Sequence, residues 1–432
     1  MSQAEHRLSS AAFAALATGG GGPAAVKQLA AAEHSKHLIL LSGVVSESRS
    51  AGHPEHPLAA EGYALLHAVA SYHPDAAKRV ITHPSVGAWA LRTLIALRGG
   101  PAMPGATPGG LRAVAAAAAI CAGHEATIAI GAAEGFAPLP SLGAAHVQHD
   151  TALVRISDGT ATVNAVRVPT DPHRDGPGWS GLRRVCADQL DVLIDDLDPF
   201  RCPGQATVSA HLSSAAWIEM LSEAWAVLLA HHSRVAAEVA AAVRVITPLA
   251  MPSGRSRSSS SPEVFGTVAM SLPANPVSGA EALAHEVQHI KLGALLDQVR
   301  LTLDDDGSRY YAPWRPDPRP AGGLLQGAYA YLGVSGFWRR QRWQQGYQEH
   351  GDAEYARWRA AAASGVASLL SSGRLTAAGQ EFVGGMARTL EPWQREPVSV
   401  TALASAERAA SEHLARWQSA HGAAAPGRPS VG

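Results

Sequence analysis

The chain is poor in cysteine and in charged side chains, and both shortages narrow what it can be. Its 432 residues include three cysteines, far apart and without a CxxC pair. That spacing argues against a disulfide framework, an iron–sulfur cluster and a thiolate zinc knuckle. Charged residues make up 16% of the chain and the formal net charge is -1, so no global field favours nucleic acid or acidic lipid. We expect neither nucleic acid nor a membrane among its partners.

Long hydrophobic runs are also missing. The first residues lack a basic stretch followed by an apolar one, so no secretory signal is evident. The most apolar segments, such as 111–120, are rich in alanine and too short to span a bilayer, and they are typical of packed helices. Together with the scarce cysteine, these features predict a soluble protein of a reducing cytoplasm.

Helical periodicity dominates the chain, with one β-rich stretch. Residues 127–168 cluster β-branched side chains, and Ser157-Asp158-Gly159-Thr160 is typical of a hairpin turn. We therefore expect an α+β protein, predominantly helical with a small antiparallel sheet. We predict an N-terminal helical region at 1–250 that contains the inserted β-hairpin sheet, followed by a flexible loop at 251–262. A helical region at 263–422 carries the predicted metal site, and a frayed tail follows at 423–432.

Three short patterns resemble ligand sites but favour simpler interpretations. The glycines at 19–22 have no following Lys-Ser/Thr, which predicts a plain turn and not a phosphate loop. The acidic turn at 195–199 lacks the alternating ligands and distal glutamate of a calcium loop, which favours helix capping or a salt-bridged corner over a cation site. The adjacent pair His231-His232 would point about 100° apart on a helix and would not chelate one ion.

The motif that carries chemistry is His285-Glu286-Val287-Gln288-His289. Ser278 and Glu281 are spaced as a capping box, which predicts a helix that begins there and ends near Leu301. Two histidines four positions apart on a helix lie on one face and can share an ion, unless they are incidental in a chain with 20 histidines. Glu286 lies about a quarter turn away, within reach of a metal-bound water. The motif therefore predicts a zincin-like helix with a transition-metal site.

The third ligand does not follow from the motif, because no HExxHxxGxxH continuation is present. The segment 310–320 holds four prolines, aromatics and arginines, which is typical of a stiff loop over a site. Arg315 and Arg319 could clamp a carboxylate, or pair with acidic neighbours at the surface. On the next predicted helix, Gln326 is the first residue able to offer an oxygen to a metal.

Residues 285–296, 310–320 and 323–331 together resemble the HExxH-motif peptide-modification proteins, described as α-ketoglutarate-dependent peptide β-hydroxylases. The similarity is closest to the C-terminal portion of certain radical-SAM peptide maturases, and it extends over most of the chain, including 195–201. It implies iron(II) held by His285 and His289, α-ketoglutarate chelating that metal, and a ribosomally made precursor peptide as the substrate. Many relatives have a histidine where this chain has Gln326, and the chain lacks a radical-SAM cysteine motif.

Three hypotheses remain open. In the first, an iron(II)/α-ketoglutarate oxygenase hydroxylates a side-chain β-carbon of the precursor peptide. Its metal ligands are His285, His289 and Gln326. Its catalytic residue is Glu286, which is a further ligand or orients a metal-bound water. Its co-substrate is held by Arg315, Arg319 and Tyr311. In the second, a zinc metallopeptidase uses Glu286 as the general base for a metal-bound water. In the third, a catalytically impaired remnant binds a peptide.

Overall fold

The computed structural model describes residues 7–202, 214–251 and 257–422. They form two compact units, each built from separate stretches of the chain. Of the described residues, unit 1 comprises 30–202, 214–222, 243–251 and 257–274, and unit 2 comprises 7–29, 223–242 and 275–422.

Helices account for most of the described residues. In chain order they are α1 (Ser10–Ala17), α2 (Gly22–Ser50), α3 (His56–Tyr72), α4 (Pro74–Ile81), α5 (Pro84–Leu97), α6 (Leu111–Ala122), α7 (Ser214–His231), α8 (Ser233–Ala242), α9 (Pro276–Leu296), α10 (Ala321–Gln341), α11 (Gln348–Ser371), α12 (Ala377–Arg395) and α13 (Val400–His421). Short 3-10 turns lie at Pro108–Gly110 and Pro262–Val264. Among the described helices, none combines the length and the apolar character needed to cross a membrane.

The described strands all lie in unit 1. In chain order they are β1 (Ala126–Gly131), β2 (Phe136–Leu139), β3 (Gly143–His146), β4 (Thr151–Ser157), β5 (Thr160–Val163), β6 (Val166–Arg167), β7 (Trp179–Gly181), β8 (Arg183–Ala187), β9 (Leu190–Ile194), β10 (Val245–Pro248), β11 (Ser258–Ser259) and β12 (Thr267–Met270). The predominantly helical α+β class predicted from the sequence is confirmed.

The strands pair into three sheets, where the sequence predicted one. Two are antiparallel, in the orders β1-β4-β5-β6 and β2-β3-β7. The third is mixed, in the order β11-β12-β10-β9-β8, with β10 parallel to both β9 and β12. The predicted hairpin is confirmed, because Ser157 pairs with Thr160 around Asp158 and Gly159, whose φ values of 50° and 70° suit a type I′ turn.

The predicted domain boundaries at 250 and 263 do not match the two units. Unit 1 extends to residue 274 because β12 pairs in parallel with β10. The predicted loop at 251–262 is partly ordered, since Ser258 pairs with Met270 and a 3-10 turn begins at Pro262. Residues 252–256 and the predicted frayed tail at 423–432 lie outside the described residues.

The core of unit 1 uses the alanine-rich helix α6 as a thin packing element. The five alanines from Ala115 to Ala119 are all fully buried, as the composition predicted for this segment. Their small side chains let α6 approach α3 closely, where a Cβ on Gly62 would lie 2.8 Å from the backbone nitrogen of Arg112. Short side chains therefore provide close backbone packing here in place of large apolar ones.

In unit 2, a buried ion pair anchors α9, the helix that carries the HExxH motif. Lys291 Nζ lies 2.5 Å from Glu238 Oε2 on α8 and donates to the carbonyl of Gly20 at 2.8 Å. The other carboxylate oxygen of Glu238 accepts a hydrogen bond from the backbone of Gly22 at 2.9 Å. Lys291 and Glu238 are thus bound to each other, and each also binds a backbone group of the glycine turn at 19–22.

We expect Lys291→Met to lower the free energy of unfolding by about 3–5 kcal/mol, because it leaves the Glu238 carboxylate buried without its cation. Adding Glu238→Gln should recover part of that loss, because the amide keeps the acceptor and removes the charge. Urea unfolding followed by tryptophan fluorescence measures both. Arg395→Met breaks the exposed pair with Glu391 and should cost less than about 1 kcal/mol. A double variant as unstable as Lys291→Met would contradict the assignment.

The pair His231-His232 behaves as the spacing predicted. The two rings lie 6.5 Å apart and nearly perpendicular. His232 is buried, with Nε2 2.9 Å from Gln341 Oε1 and its ring stacked on Phe337 at 4.1 Å. Burial lowers the pKa of His232 to about 4, so its ring is neutral in the folded protein near neutral pH.

His232 makes stability depend on pH. Below pH 6.5 the unfolded chain takes up a proton that the folded ring accepts only near pH 4, so the free energy of unfolding falls as the pH falls through this window. The contribution is about 3 kcal/mol at most. When the pH falls from 7.5 to 4.5, the free energy of unfolding should drop by about 2–3 kcal/mol less for His232→Phe than for the wild type. Urea unfolding at both pH values measures the difference. His231→Phe, an exposed control, should lose as much as the wild type; equal slopes for all three proteins would refute this role.

Candidate metal centre

Helix α9 places the two motif histidines, although it begins and ends differently from the prediction. Its N-cap is Asn275, whose Oδ1 accepts from the backbone of Ser278 at 2.9 Å, so the predicted Ser278–Glu281 capping box is wrong. The helix ends at Leu296 and not near Leu301. An asparagine before Pro276 caps as well as a serine does, and the proline favours the first helical position, so the start moves to that pair.

His285 and His289 turn the same ring nitrogen toward each other. Their Nε2 atoms lie 3.2 Å apart, with ring centroids 4.9 Å apart. Two metal–nitrogen bonds of about 2.1 Å at a near-tetrahedral angle place their nitrogens roughly 3.4 Å apart, so the pair has the spacing of a chelate. Burial lowers the pKa of His285 to about 4, which keeps its ring neutral, the form that binds a metal.

Gln326 on α10 lies against the opposite nitrogen of His289. Its Oε1 is 3.1 Å from Nδ1, which donates the hydrogen bond when the Nε2 lone pair faces His285. An acceptor in this position fixes the tautomer and the orientation of a ligating histidine. Gln326 is therefore positioned to orient His289, and its role as a third metal ligand stays a prediction.

Glu286 is buried beside the histidine pair. Its side chain is 1% exposed, and Oε1 lies 4.0 Å from His285 Nε2. A carboxylate at this distance is too far to share a proton directly with the ring but can reach a group bound between the two histidines. Both roles predicted for Glu286, as a metal ligand or as the residue that orients a bound water, stay predictions.

Aromatic residues that the sequence did not single out form one wall of the site. The Tyr331 ring meets His285 edge-on at 5.2 Å and stacks between Trp358 at 4.2 Å and Trp314 at 5.1 Å. The small residues of α10 make room for this wall, since a Cβ on Gly327 would lie 2.3 Å from the Trp314 indole nitrogen. The tyrosine is half-buried, and this burial raises its pKa to about 12.

A second carboxylate lies one turn before His285 on the same face of α9. Glu281 accepts a hydrogen bond from Trp338 Nε1 at 2.8 Å. Burial raises the pKa of Glu281 to about 7, and the negative charge of Glu354 adds to the effect. Glu354 itself accepts from Trp358 Nε1 at 2.7 Å, so both carboxylates are tied to indoles near the histidine pair. An i, i+4 scan from His285 toward the N-terminus could have found Glu281.

The loop at 310–320 is closed and its arginines are paired within it. Tyr310 and Arg319 form an antiparallel bridge with hydrogen bonds of 2.8 and 2.9 Å. Both predicted clamp residues bind Asp317, Arg315 at 2.9 Å and Arg319 at 3.1 Å, which is the surface pairing left open by the sequence. Tyr311 donates to or accepts from His413 Nδ1 at 2.8 Å and packs on Trp417 of α13. The loop therefore holds its charged groups in local pairs.

A separate group of ligand-type side chains lies in unit 1. His83, Asp195 and Asp198 are buried, and one ligand atom from each lies within 4.8 Å of the others. Sequence analysis favoured capping for the acidic turn, and Asp195 Oδ1 does accept from the backbones of Leu197 and Asp198. It missed His83, because 112 residues separate it from Asp195 and no local pattern connects them.

Comparison of the chain with models of protein families found no match, and comparison with curated proteins found none. The function is therefore argued from the residues of the two units alone. Of the two groups of ligand-type side chains, the histidine pair of α9 is bordered by carboxylates, indoles and a tyrosine. That surrounding chemistry makes it the candidate functional site.

Replacing Gln326 tests its place beside His289. We expect Gln326→Leu to weaken cobalt(II) binding at this pair by about 10–100-fold, because the ring loses the acceptor that orients it. Titration of the anaerobic protein against a chromophoric chelator measures the affinity, and the visible cobalt bands report the ligand set. Gln298→Leu is the matched control on the turn after α9, where the amide contacts Ala294. A change in the band positions for Gln326→Leu would show that Gln326 ligates the metal directly.

Proposed function

We propose that the chain is an iron(II)/α-ketoglutarate-dependent oxygenase that hydroxylates a side-chain β-carbon of a ribosomally synthesised peptide. The observation that carries the proposal is the separation of 3.2 Å between Nε2 of His285 and Nε2 of His289 on α9. Neutral imidazoles at this spacing suit iron(II). Their arrangement on one face of an HExxH helix is the zincin-like feature of the proposal.

The set of protein ligands counts against a zinc peptidase of the usual type. In the described chain, no third His, Cys, Asp or Glu completes a ligand group of this kind at the histidine pair. Zinc peptidases hold their metal with three protein ligands and keep one position for water. A metal held by two imidazoles has more open positions, which a chelating 2-oxoacid and oxygen would need.

The residues present also offer a place for the remote carboxylate of a 2-oxoacid. Arg319 has a buried Nε without a hydrogen-bond partner, while its Nη1 binds Asp317. Its guanidinium lies against Gly323, where a Cβ would be 3.0 Å from Nε, and Gln326 follows one turn later on α10. Arg315 is close enough to Tyr331 to lower the pKa of that phenol, although burial outweighs it. We assign the carboxylate to Arg319, with Arg315 exchanging Asp317 for it.

Iron(II) with α-ketoglutarate and oxygen supplies the oxidising chemistry, in which peptide C–H, the 2-oxoacid and O₂ become C–OH, succinate and CO₂. The protein positions and shields this chemistry. Gln326 holds His289 in the required tautomer, and Glu286 accepts a hydrogen bond from a group bound between the histidines. Tyr331 and Trp358 cover one side of His285 and exclude water from it.

The peptide substrate rests on the resemblance of residues 285–331 to peptide-modification proteins. Two other functions are outcomes of the test. A zinc peptidase would use the buried Glu286 as its general base, and a peptide-binding remnant would use no metal chemistry at all.

The test uses the full chain purified without oxygen, with iron(II) and α-ketoglutarate added. We expect a weak visible charge-transfer band in the wild type and in His231→Ala, a matched exposed-histidine control, and its loss in His285→Ala. Admitting oxygen should then release succinate, and the precursor peptide encoded by a neighbouring gene should gain the mass of one oxygen atom.

The opposite results are equally specific. Absence of the band, together with zinc-dependent cleavage of the precursor peptide that Glu286→Gln abolishes, would replace the oxygenase by a peptidase; loss of a general base costs about 10²–10⁴ in rate. Tight peptide binding with neither reaction would identify a remnant. If His285→Ala bound one iron per chain and kept the charge-transfer band, the assignment of His285 as a ligand would be wrong.

A further inference from the structure

The group His83, Asp195 and Asp198 in unit 1 has the composition of a metal site and leaves its polar atoms unused. His83 is 4% exposed, and neither of its ring nitrogens has a hydrogen-bond partner. Asp195 is fully buried, and its Oδ2 also has no partner. These two atoms face each other, since His83 Nε2 lies 3.9 Å from Asp195 Oδ2. Buried polar atoms without partners cost free energy and call for a ligand that satisfies them.

The fold fixes the two carboxylates before any ligand arrives. Asp195 directly follows β9, and its backbone nitrogen donates to Ile246 of β10 at 2.9 Å. Its Oδ1 is held by the backbones of Leu197 and Asp198, at 3.0 and 2.9 Å. Asp198 repeats the arrangement, with Oδ1 accepting from the backbone of Phe200 at 2.8 Å. In each carboxylate, one oxygen therefore accepts hydrogen bonds from the backbone of its own turn. These bonds fix the direction in which the second oxygen of the same carboxylate points.

The charge of this corner favours a cation. Two buried carboxylates face a histidine, and Arg201, which donates to the Asp198 carbonyl, lowers the pKa of both. Burial outweighs it and raises the pKa of both carboxyls, a cost that a bound cation would relieve. His83 begins α5 with an extended backbone, immediately before Pro84, so its ring approaches from a separate element.

We propose that His83, Asp195 and Asp198 bind one divalent transition-metal ion, of the manganese or zinc class, independently of the HExxH site. One imidazole and two carboxylates are a ligand set for such an ion, whereas calcium and magnesium prefer oxygen alone. Ligand atoms bound at about 2.1 Å lie roughly 3–3.5 Å apart, so the three must close by about an ångström from their present spacing. All three ligands are buried, and a set of three leaves a fourth position on the ion for water.

The ion has a route to the site. His83 lines a cleft of about 820 Å³ in unit 1, and its Nε2 lies 3.9 Å from Asp195 Oδ2. Asp75, Asp171 and Asp191 also line this cleft and would attract a cation toward it, although five basic side chains lie on the same walls. Because His and Asp bind a metal only when they are deprotonated, the affinity for the ion should fall as the pH falls.

The test isolates this site by working in the His285→Ala/His289→Ala background, so that loss of the HExxH site does not affect the result. Mn²⁺ and Zn²⁺ are titrated separately, by electron paramagnetic resonance and by competition with a chromophoric chelator. We expect one ion per chain and a higher melting temperature with metal. Asp195→Asn keeps the turn-capping oxygen and removes the charge; it should weaken binding at least 100-fold and abolish the thermal shift.

Asp188→Asn is the matched control, exposed in the turn that precedes β9 and outside the cleft lining, and it should bind as the background protein does. His83→Gln is the second variant, and it should also lose the ion if Asp195→Asn fails to fold cooperatively. The proposal is overturned if the background protein binds no ion, or if Asp195→Asn and His83→Gln both bind it with unchanged affinity.

Discussion

The buried pair between Lys291 and Glu238 is the interaction on which the histidine site depends. A lysine ammonium that is fully buried is tolerated only when a carboxylate and carbonyl oxygens surround it, and all of these are present here. Lys291 follows His289 by two residues, so the ion pair fixes the rotation of α9 about its own axis close to the two motif histidines. Gln288 adds a second anchor by donating to the carbonyl of Gly19 at 3.0 Å. The ion pair of Lys291 holds one side of the helix in place, and His285 and His289 lie on another side.

The histidine pair could be predicted because it is local. His285 and His289 are four residues apart, and any helix at this position puts them on one face. The partner of His289 could not be predicted, because Gln326 comes from another helix and reaches Nδ1 only when α9 and α10 pack closely. That packing depends on Gly333, where a Cβ would lie 2.5 Å from Gln288 Cγ. The glycines of α10 are visible in the sequence, but which side chains pack against them is not.

Longer-range features show why other predictions succeeded or failed. The helical class and the β4–β5 hairpin follow from short periodic patterns, which the structure keeps. The domain boundaries do not, because β10 and β12 pair across a segment that reads as a linker. For Arg315 and Arg319 the sequence left open a bound carboxylate or an acidic neighbour. In the structure both pair with Asp317, which is two residues from each. The His83 group needed a turn after β9 and the start of α5 to meet, which no spacing rule expresses.

The path of the chain through unit 2 has a consequence for its synthesis. Residues 7–29 of unit 2 leave the ribosome long before α9, because the hydrogen bond from Gln288 to Gly19 spans 269 positions. At about 5–20 residues per second, this segment waits roughly 15–55 s for its partner. During that interval residues 30–202 of unit 1 emerge and have a core of their own to form. Helix α1 and the glycine turn after it therefore complete their contacts in unit 2 only once the motif helix has been made.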